Sequence, residues 1–367
     1  MEIPLQGAWI LVITRETHLE GGCTSRMVRV ERIIPILILM FLLSGCISNE
    51  RNRWVFEVTQ IDELHDLGFR GRGIRIGLID TGVDLKSGDF DGKRFVAWKD
   101  LVNGRSSFYD DDGHGTFIAG LLFSKGGFLN RMKGICPECE VVVVKAVSSV
   151  GYSNDSMISD AIDFCMDQDV DIILLSLYRD QDYIEIGQRA MERCREAVGR
   201  GIIVVAPAGD DGLDDDGDVF DLAGIEGVIS VGSIGKSLTI SPFSSRGNQA
   251  EILGKHRERK DPYKKPELVA PGEGVESLLL GGGISEMKGT SVSASIVAGS
   301  IALLLEAYPE LRGGEKTIEI IKDALAKTAR KVGDPSLYSG EVLKHSDLYG
   351  YGLIQVYDAY KELGEMI

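Results

Sequence analysis

Short apolar runs alternate with amphipathic stretches along most of the chain. The runs at 74–79, 141–147, 171–177, 201–206 and 228–231 are rich in Val, Ile and Leu and are bounded by Gly, Asp or other turn residues. Runs that are apolar throughout, rather than alternating, fit strands buried on both faces. Helical spacing marks 58–67, 154–166 (opened by Asn154, a good cap), 183–198, 317–329 and 355–363. Two further segments, the residues after His114 and the long stretch 292–307, are almost entirely small or apolar and predict helices buried on all sides. Strand and helix alternating in this way predicts an α/β fold of three layers, a mostly parallel doubly wound sheet with helices on both faces. The charged stretch 249–265 reads as a surface loop, and no repeat of 20–50 residues is visible.

The N-terminus follows a different pattern. Arg29 and Arg32 precede an apolar run at 33–43, which ends in Leu43-Ser44-Gly45-Cys46. The run is short for a membrane span and right for the hydrophobic part of a signal peptide. Small residues before a cysteine resemble a lipoprotein signal, in which Cys46 becomes the lipidated first residue; an uncleaved signal anchor is the alternative. Stable tethering by lipid requires two or more acyl chains. Either route exports the body and holds it at the outer face of the cell membrane. Residues 1–46 are therefore expected to be a leader, of which 1–26, before the better start at Met27, read as an over-extended gene start. Residues 47–53 are expected to be a tether and 54–363 a single domain.

Composition adds limits. The 367 residues allow one large core, and 44% hydrophobic with 26% charged residues is ordinary for a globular chain. A formal net charge of −16 argues against nucleic acid as a partner, because phosphate binding needs clustered Lys and Arg. Beyond the leader and Cys46, four cysteines remain: Cys136, Cys139, Cys165 and Cys194. Cys136-Pro137-Glu138-Cys139 could close a tight loop, and Cys165 and Cys194, on consecutive predicted helices, could meet as a disulfide in an exported protein. With no second CxxC, zinc is not expected.

Three short segments carry candidate chemistry. Asp80-Thr81-Gly82 ends the first apolar run, His114-Gly115-Thr116 opens one buried helix, and Gly289-Thr290-Ser291 opens the other. Each has a plain structural use; Ser291, for example, would serve as a helix cap. In this order on a parallel α/β sheet they resemble the catalytic segments of the subtilisin-like serine protease family. Further matches are Ser176-Leu177 after a buried run, Phe243-Ser244-Ser245-Arg246-Gly247 and Val269-Ala270-Pro271-Gly272. The resemblance implies Ser291 as nucleophile, His114 as general base and Asp80 as the residue orienting it, cleaving polypeptides through an acyl-enzyme. It also implies substrate contacts from Gly151, Ser153, Ser176, Leu177, Tyr178, Ala206 and Gly209.

The sequence departs from the family pattern at several places. Asp210 stands where an asparagine usually donates to the oxyanion, Tyr178 where a glycine follows Ser-Leu, and Ser295 where a proline follows the nucleophile. The few residues between Cys46 and Trp54 leave no room for the propeptide many secreted relatives carry. No cofactor is needed for the chemistry. A structural calcium ion is suggested by the acids of 210–221, with Asp214, Asp216 and Asp218 as candidate ligands, and by Asp110 to Asp112. The readings to compare are a membrane-tethered extracytoplasmic serine endopeptidase and a catalytically impaired relative acting as a peptide-binding or scaffold protein. A general α/β hydrolase is disfavoured by the lack of a Gly-x-Ser-x-Gly elbow.

Overall fold

A computed structural model describes residues 51–367, except 88–89, 127–131, 178–183, 185, 213–217, 248, 253–254, 261–262, 315 and 341–342. The leader, Cys46, Tyr178, Asp214 and Asp216 lie outside the described residues. From residue 49 onward the chain forms one compact unit.

Its centre is a seven-stranded sheet in which all strands run parallel. The strands are β1 (Arg75–Asp80), β2 (Phe95–Asp100), β3 (Glu140–Lys145), β4 (Ile172–Leu175), β5 (Ile203–Pro207), β6 (Ile229–Ile234) and β9 (Leu268–Pro271), in the order β2-β3-β1-β4-β5-β6-β9. The winding direction reverses at β1, which pairs with β3 on one side and β4 on the other. The C-terminal ends of strands around such a reversal form the crevice where ligands bind in open α/β sheets. Asp80 is the last residue of β1.

One face of the sheet is covered by α3 (His114–Phe123) and α6 (Thr290–Ala307), backed by α7 (Thr317–Thr328) and α8 (Val356–Met366). The other is covered by α4 (Asp155–Asp167) and α5 (Gln188–Gly199). In α6 every residue from Thr290 to Leu305 is buried, as its lack of a polar face requires. Asn154 caps α4 as expected, its side chain accepting from the Met157 N–H at 3.0 Å.

Several elements differ from the sequence pattern. The helix expected over 58–67 is two helices, α1 (Arg53–Thr59) and α2 (Ile61–Asp66), separated by Gln60 in a left-handed conformation. The Gln60 amide bonds Asp358 of α8 at 3.1 Å in both directions, so a tertiary contact overrides the helical spacing. Helix α5 starts at Gln188 rather than 183 because Asp155, on the neighbouring α4, accepts from the N–H groups of Gly187 and Ala190 at 2.9 and 2.8 Å. These are donors a helix start leaves without partners. The stretch expected to be a charged loop holds an antiparallel hairpin of β7 (Gln249–Ile252) and β8 (Lys255–Glu258). A second hairpin, β10 (Val275–Leu278) and β11 (Ile284–Met287), leads into Gly289.

All four described cysteines are free, buried thiols. Cys165 points into the sheet: a Cβ on Gly77 of β1 would lie 2.6 Å from its Sγ. Cys136 and Cys139 pack against Gly71 in the same way. Packing on the strand, rather than across the helix pair, is what occupies the Cys165 sulfur.

Candidate active site

Asp80, His114 and Ser291 come from three different elements and meet at the C-terminal edge of the sheet. The His114 Nδ1 lies 2.8 Å from Asp80 Oδ1 and 3.0 Å from Oδ2, and its Nε2 lies 2.9 Å from Ser291 Oγ. Asp80 has no solvent exposure, so its carboxylate interacts with the imidazole without screening by water. Burial works to lower the pKa of His114, but the Asp80 carboxylate, helped by Asp112 and Asp110, overcomes it and raises the value to about 9.

The loops around this trio are held by side chain to backbone bonds. Thr81 donates its N–H to Asp80 Oδ1 at 2.6 Å, and its hydroxyl accepts from Gly115 N at 2.9 Å. Asp110 is the hub: Oδ1 accepts from Thr81 Oγ1, Asp112 N and Gly113 N at 3.0–3.1 Å, while Oδ2 accepts from Thr116 N and Oγ1 at 2.9 and 2.7 Å. Asp112 Oδ1 takes the His114 N–H at 3.0 Å. These bonds fix the start of α3, and with it the imidazole, against the end of β1. Gly115 has to be glycine here, since a Cβ would lie 2.0 Å from the Gly82 carbonyl oxygen and 3.1 Å from Asp80 Oδ1.

Ser291 is the second residue of α6, so its own N–H is among the unpaired donors at the positive end of the helix. A Cβ placed on Gly289 would stand 3.2 Å from Asp210 Oδ2, 3.3 Å from Ser291 Oγ and 3.9 Å from Ser291 N. The three groups therefore border one small space, kept open by the glycine. Asp210 Oδ1 accepts from Thr290 N at 2.8 Å and Thr290 Oγ1 at 2.9 Å, leaving Oδ2 toward that space. Burial raises the Asp210 pKa; the Thr290 bonds and His114 act downward and Asp211 upward, and the balance is a raised value.

Other candidate site residues fare unevenly. Ser176 and Gly209 follow the C-terminal ends of adjacent strands β4 and β5, and Gly151 lies in the loop after β3. Ser153, Leu177 and Ala206 are at most 1% exposed, and Leu177 and Ala206 pack in the core between the sheet and α4 and α5. Their side chains cannot form pocket walls; only their backbone could meet a substrate. Ser295, in the family's proline position, turns its hydroxyl back to the Val292 carbonyl at 2.7 Å. Among the described residues the candidate acids already have partners. Asp218 is paired with both terminal nitrogens of Arg259, Asp111 with Lys145, and Asp110 and Asp112 with backbone donors. Among the described residues no group of three or more His, Cys, Asp or Glu could hold a metal. Lys145, a fully buried cation beside Asp80, drew no attention in the sequence; a lysine ending an apolar run was the available signal.

Comparison with known proteins agrees with this geometry. A profile of the subtilase family matches residues 71–352. Subtilisin DY of Bacillus licheniformis is 28% identical over 297 residues, covering 80% of this chain and 93% of that protein. An intracellular serine protease of Paenibacillus polymyxa is 32% identical over 244 residues, 64% of this chain and 67% of its own. The protease AprX of Bacillus subtilis (strain 168) is 30% identical over 303 residues, 73% of this chain and 64% of its own. Among solved structures, the prenylagaramide maturation protease PagA shares the fold with a TM-score of 0.64 at 22% identity, over 83% of this chain and 98% of that one. The match spans the sheet and all three segments that meet at its edge, and the chain belongs to the subtilase family of serine proteases, whose substrates are polypeptides.

Proposed function

We propose that this chain is a serine endopeptidase that works outside the cytoplasm, tethered to the membrane, and that Asp80, His114 and Ser291 are its catalytic triad. The observation that carries the catalytic part is the unbroken hydrogen-bond chain from Asp80 through His114 to Ser291 Oγ. Ser291 Oγ attacks the peptide carbonyl while His114 Nε2 takes its proton; the imidazolium then protonates the leaving amine, and water repeats the cycle on the acyl-enzyme. Asp80 stays ionised and holds Nδ1–H. The oxyanion forms in the space bordered by Ser291 N, Gly289 and Asp210. Asp210 supports it as a neutral acid donating from Oδ2, since Oδ1 is already an acceptor twice over. Location outside the cell membrane rests on the apolar run at 33–43 and on Cys46 as the lipidated residue. A bound calcium ion, if present, would draw on Asp214 and Asp216 rather than on the acids already paired.

Asp210 favours a second reading, a relative that binds peptides with little turnover, because an ionised carboxylate would repel the oxyanion. A fluorophosphonate probe and a quenched peptide separate the two. The protease labels at Ser291 and cleaves the peptide; Ser291→Ala abolishes labelling and lowers turnover by about 10⁶-fold. Folded protein that neither labels nor cleaves between about pH 5 and 11, a range spanning imidazole titration, would refute the endopeptidase.

A further inference from the structure

Lys145 ends β3 directly opposite Asp80, its register partner on β1. It has no solvent exposure. Its ammonium donates to the Thr81 carbonyl at 2.6 Å, to Asp111 Oδ1 at 2.7 Å and to the Val147 carbonyl at 3.0 Å, which uses all three of its protons. The ring of Tyr109 lies 5.2 Å from the same nitrogen. Burying a lysine costs free energy unless its partners are well placed, so a position that keeps one invites a question about what its bonds hold.

Two of those bonds reach the segments that carry triad residues. Thr81 is the residue whose N–H holds Asp80 Oδ1 and whose hydroxyl holds Gly115 beside His114. Asp111 lies between Asp110, the hub of the loop, and Asp112, which takes the His114 N–H. The third bond, to Val147, closes on the strand end itself. One ammonium thus ties the turn after β1 to the loop before α3. Those are the two segments whose relative position sets the Asp80–His114 contact.

We propose that Lys145 is a positioning residue of the hydrolytic site, cross-linking the Asp80–Thr81 turn to the Asp111 loop so that Asp80 and His114 keep their reacting geometry. The proposal rests on the triad reading above. Lys145 touches neither substrate nor the reacting atoms. Its effect passes through Thr81 to Asp80 and Gly115, and through Asp111 to the backbone of His114. Loosening either arm lets the imidazole drift relative to Ser291 while the parts of the substrate cleft on β4 and β5, which none of the three bonds reaches, are left in place. The signature is therefore a fall in kcat with KM nearly unchanged. A lysine that only fills space would lower stability and leave the kinetics of the folded fraction alone.

The test uses the full chain, with active sites counted by fluorophosphonate titration so that misfolded protein does not enter kcat. Lys145→Met keeps the length and removes the charge. It is expected to lower kcat per titrated site by about 10- to 100-fold, the scale of a displacement of about 1 Å, with KM within about threefold. Lys145→Arg, which restores a cation and several donors, is expected to recover part of the loss. Asp111→Asn weakens only the loop arm and is expected to lower kcat by about 3- to 10-fold, a partial form of the same displacement. A Lys145→Met enzyme with wild-type kcat per site, or one in which KM changes as much as kcat, overturns the proposal. Where Lys145→Met yields no titratable enzyme, Asp111→Asn decides: unchanged kcat overturns it. Failure of the wild type itself to label or turn over is a distinct result that removes the triad reading, and this inference with it.

Discussion

Replacing Asp210 by asparagine should make the enzyme faster, and should do so most at high pH. Two groups at the site have shifted proton affinities. His114 is raised to about 9, chiefly by Asp80 against the opposing effect of burial. Asp210 is raised from the ordinary carboxylate value, chiefly by burial. In the proposed mechanism turnover needs His114 neutral and Asp210 protonated, so the working form holds one proton, on Asp210. When the carboxylate remains the stronger acid, the commoner one-proton form places that proton on His114 instead. The wild-type kcat/KM should then rise as pH climbs through the pKa of Asp210. It should level off, and fall above about pH 9, where the shared proton is lost. Asp80, Asp110 and Asp112 also face His114, and they are retained in the variant. Asp210→Asn removes the need for that proton: its amide donates at every pH, while its carbonyl keeps the two Thr290 bonds. The alkaline fall should disappear, and activity should rise only as His114 itself becomes neutral. That limb lies somewhat below the wild-type histidine value, because a nearby negative charge is gone. At pH well above the histidine pKa the wild type faces the oxyanion with a carboxylate and the variant with a donor. One oxyanion donor is worth about 10²–10³ in turnover, so the gain there should be at least of that order. The assay is cleavage of a quenched peptide under kcat/KM conditions across the pH range, normalised to fluorophosphonate-titrated sites. A variant no faster than wild type at high pH, or one that keeps the alkaline limb, would refute the assignment of Asp210 as a neutral donor.

Two other substitutions probe how the fold supports the site. Gly115→Ala should lower kcat/KM by about 10²-fold or more, because a Cβ 2.0 Å from the Gly82 carbonyl forces the His114 turn away from Asp80; kinetics per titrated site check this, and near wild-type activity would mean the turn yields freely. Away from the site, Glu267 is buried and accepts from Lys265 and Lys322, each at 2.7 Å, and from Ser230 N at 2.8 Å. Glu267→Gln should cost about 3–5 kcal/mol, since it removes the buried carboxylate that Lys265 and Lys322 share. Denaturant unfolding measures this, and a loss under about 1 kcal/mol would indicate that water or a neighbour replaces the carboxylate.

The sequence by itself determined the kind of fold and the chemistry it carries. Its short, nearly continuous apolar runs fit strands covered on both faces, and β1, β3, β4, β5 and β6 lie where those runs are. The small and apolar stretch after Gly289 predicts a buried helix, and α6 is one. Asp80, His114 and Ser291 were legible because their three segments, at one strand end and two helix starts, resemble in their order the catalytic segments of the subtilase family. The outer strands were not legible. In β2 only the two end residues are buried, and β9 is four residues long, so neither forms a strong apolar run. Helix boundaries failed where the deciding partner is distant in sequence: Asp358 at Gln60, and Asp155 at Gly187. Only the tertiary structure turned Asp210 Oδ2 toward Ser291, committed Asp218 to Arg259, and placed Lys145 between the two loops. Periodicity reports which side of an element meets the core, a property of neighbours three or four residues apart. Which carboxylate meets which cation is set by the packing of elements far apart in the chain, and no local pattern encodes that pairing.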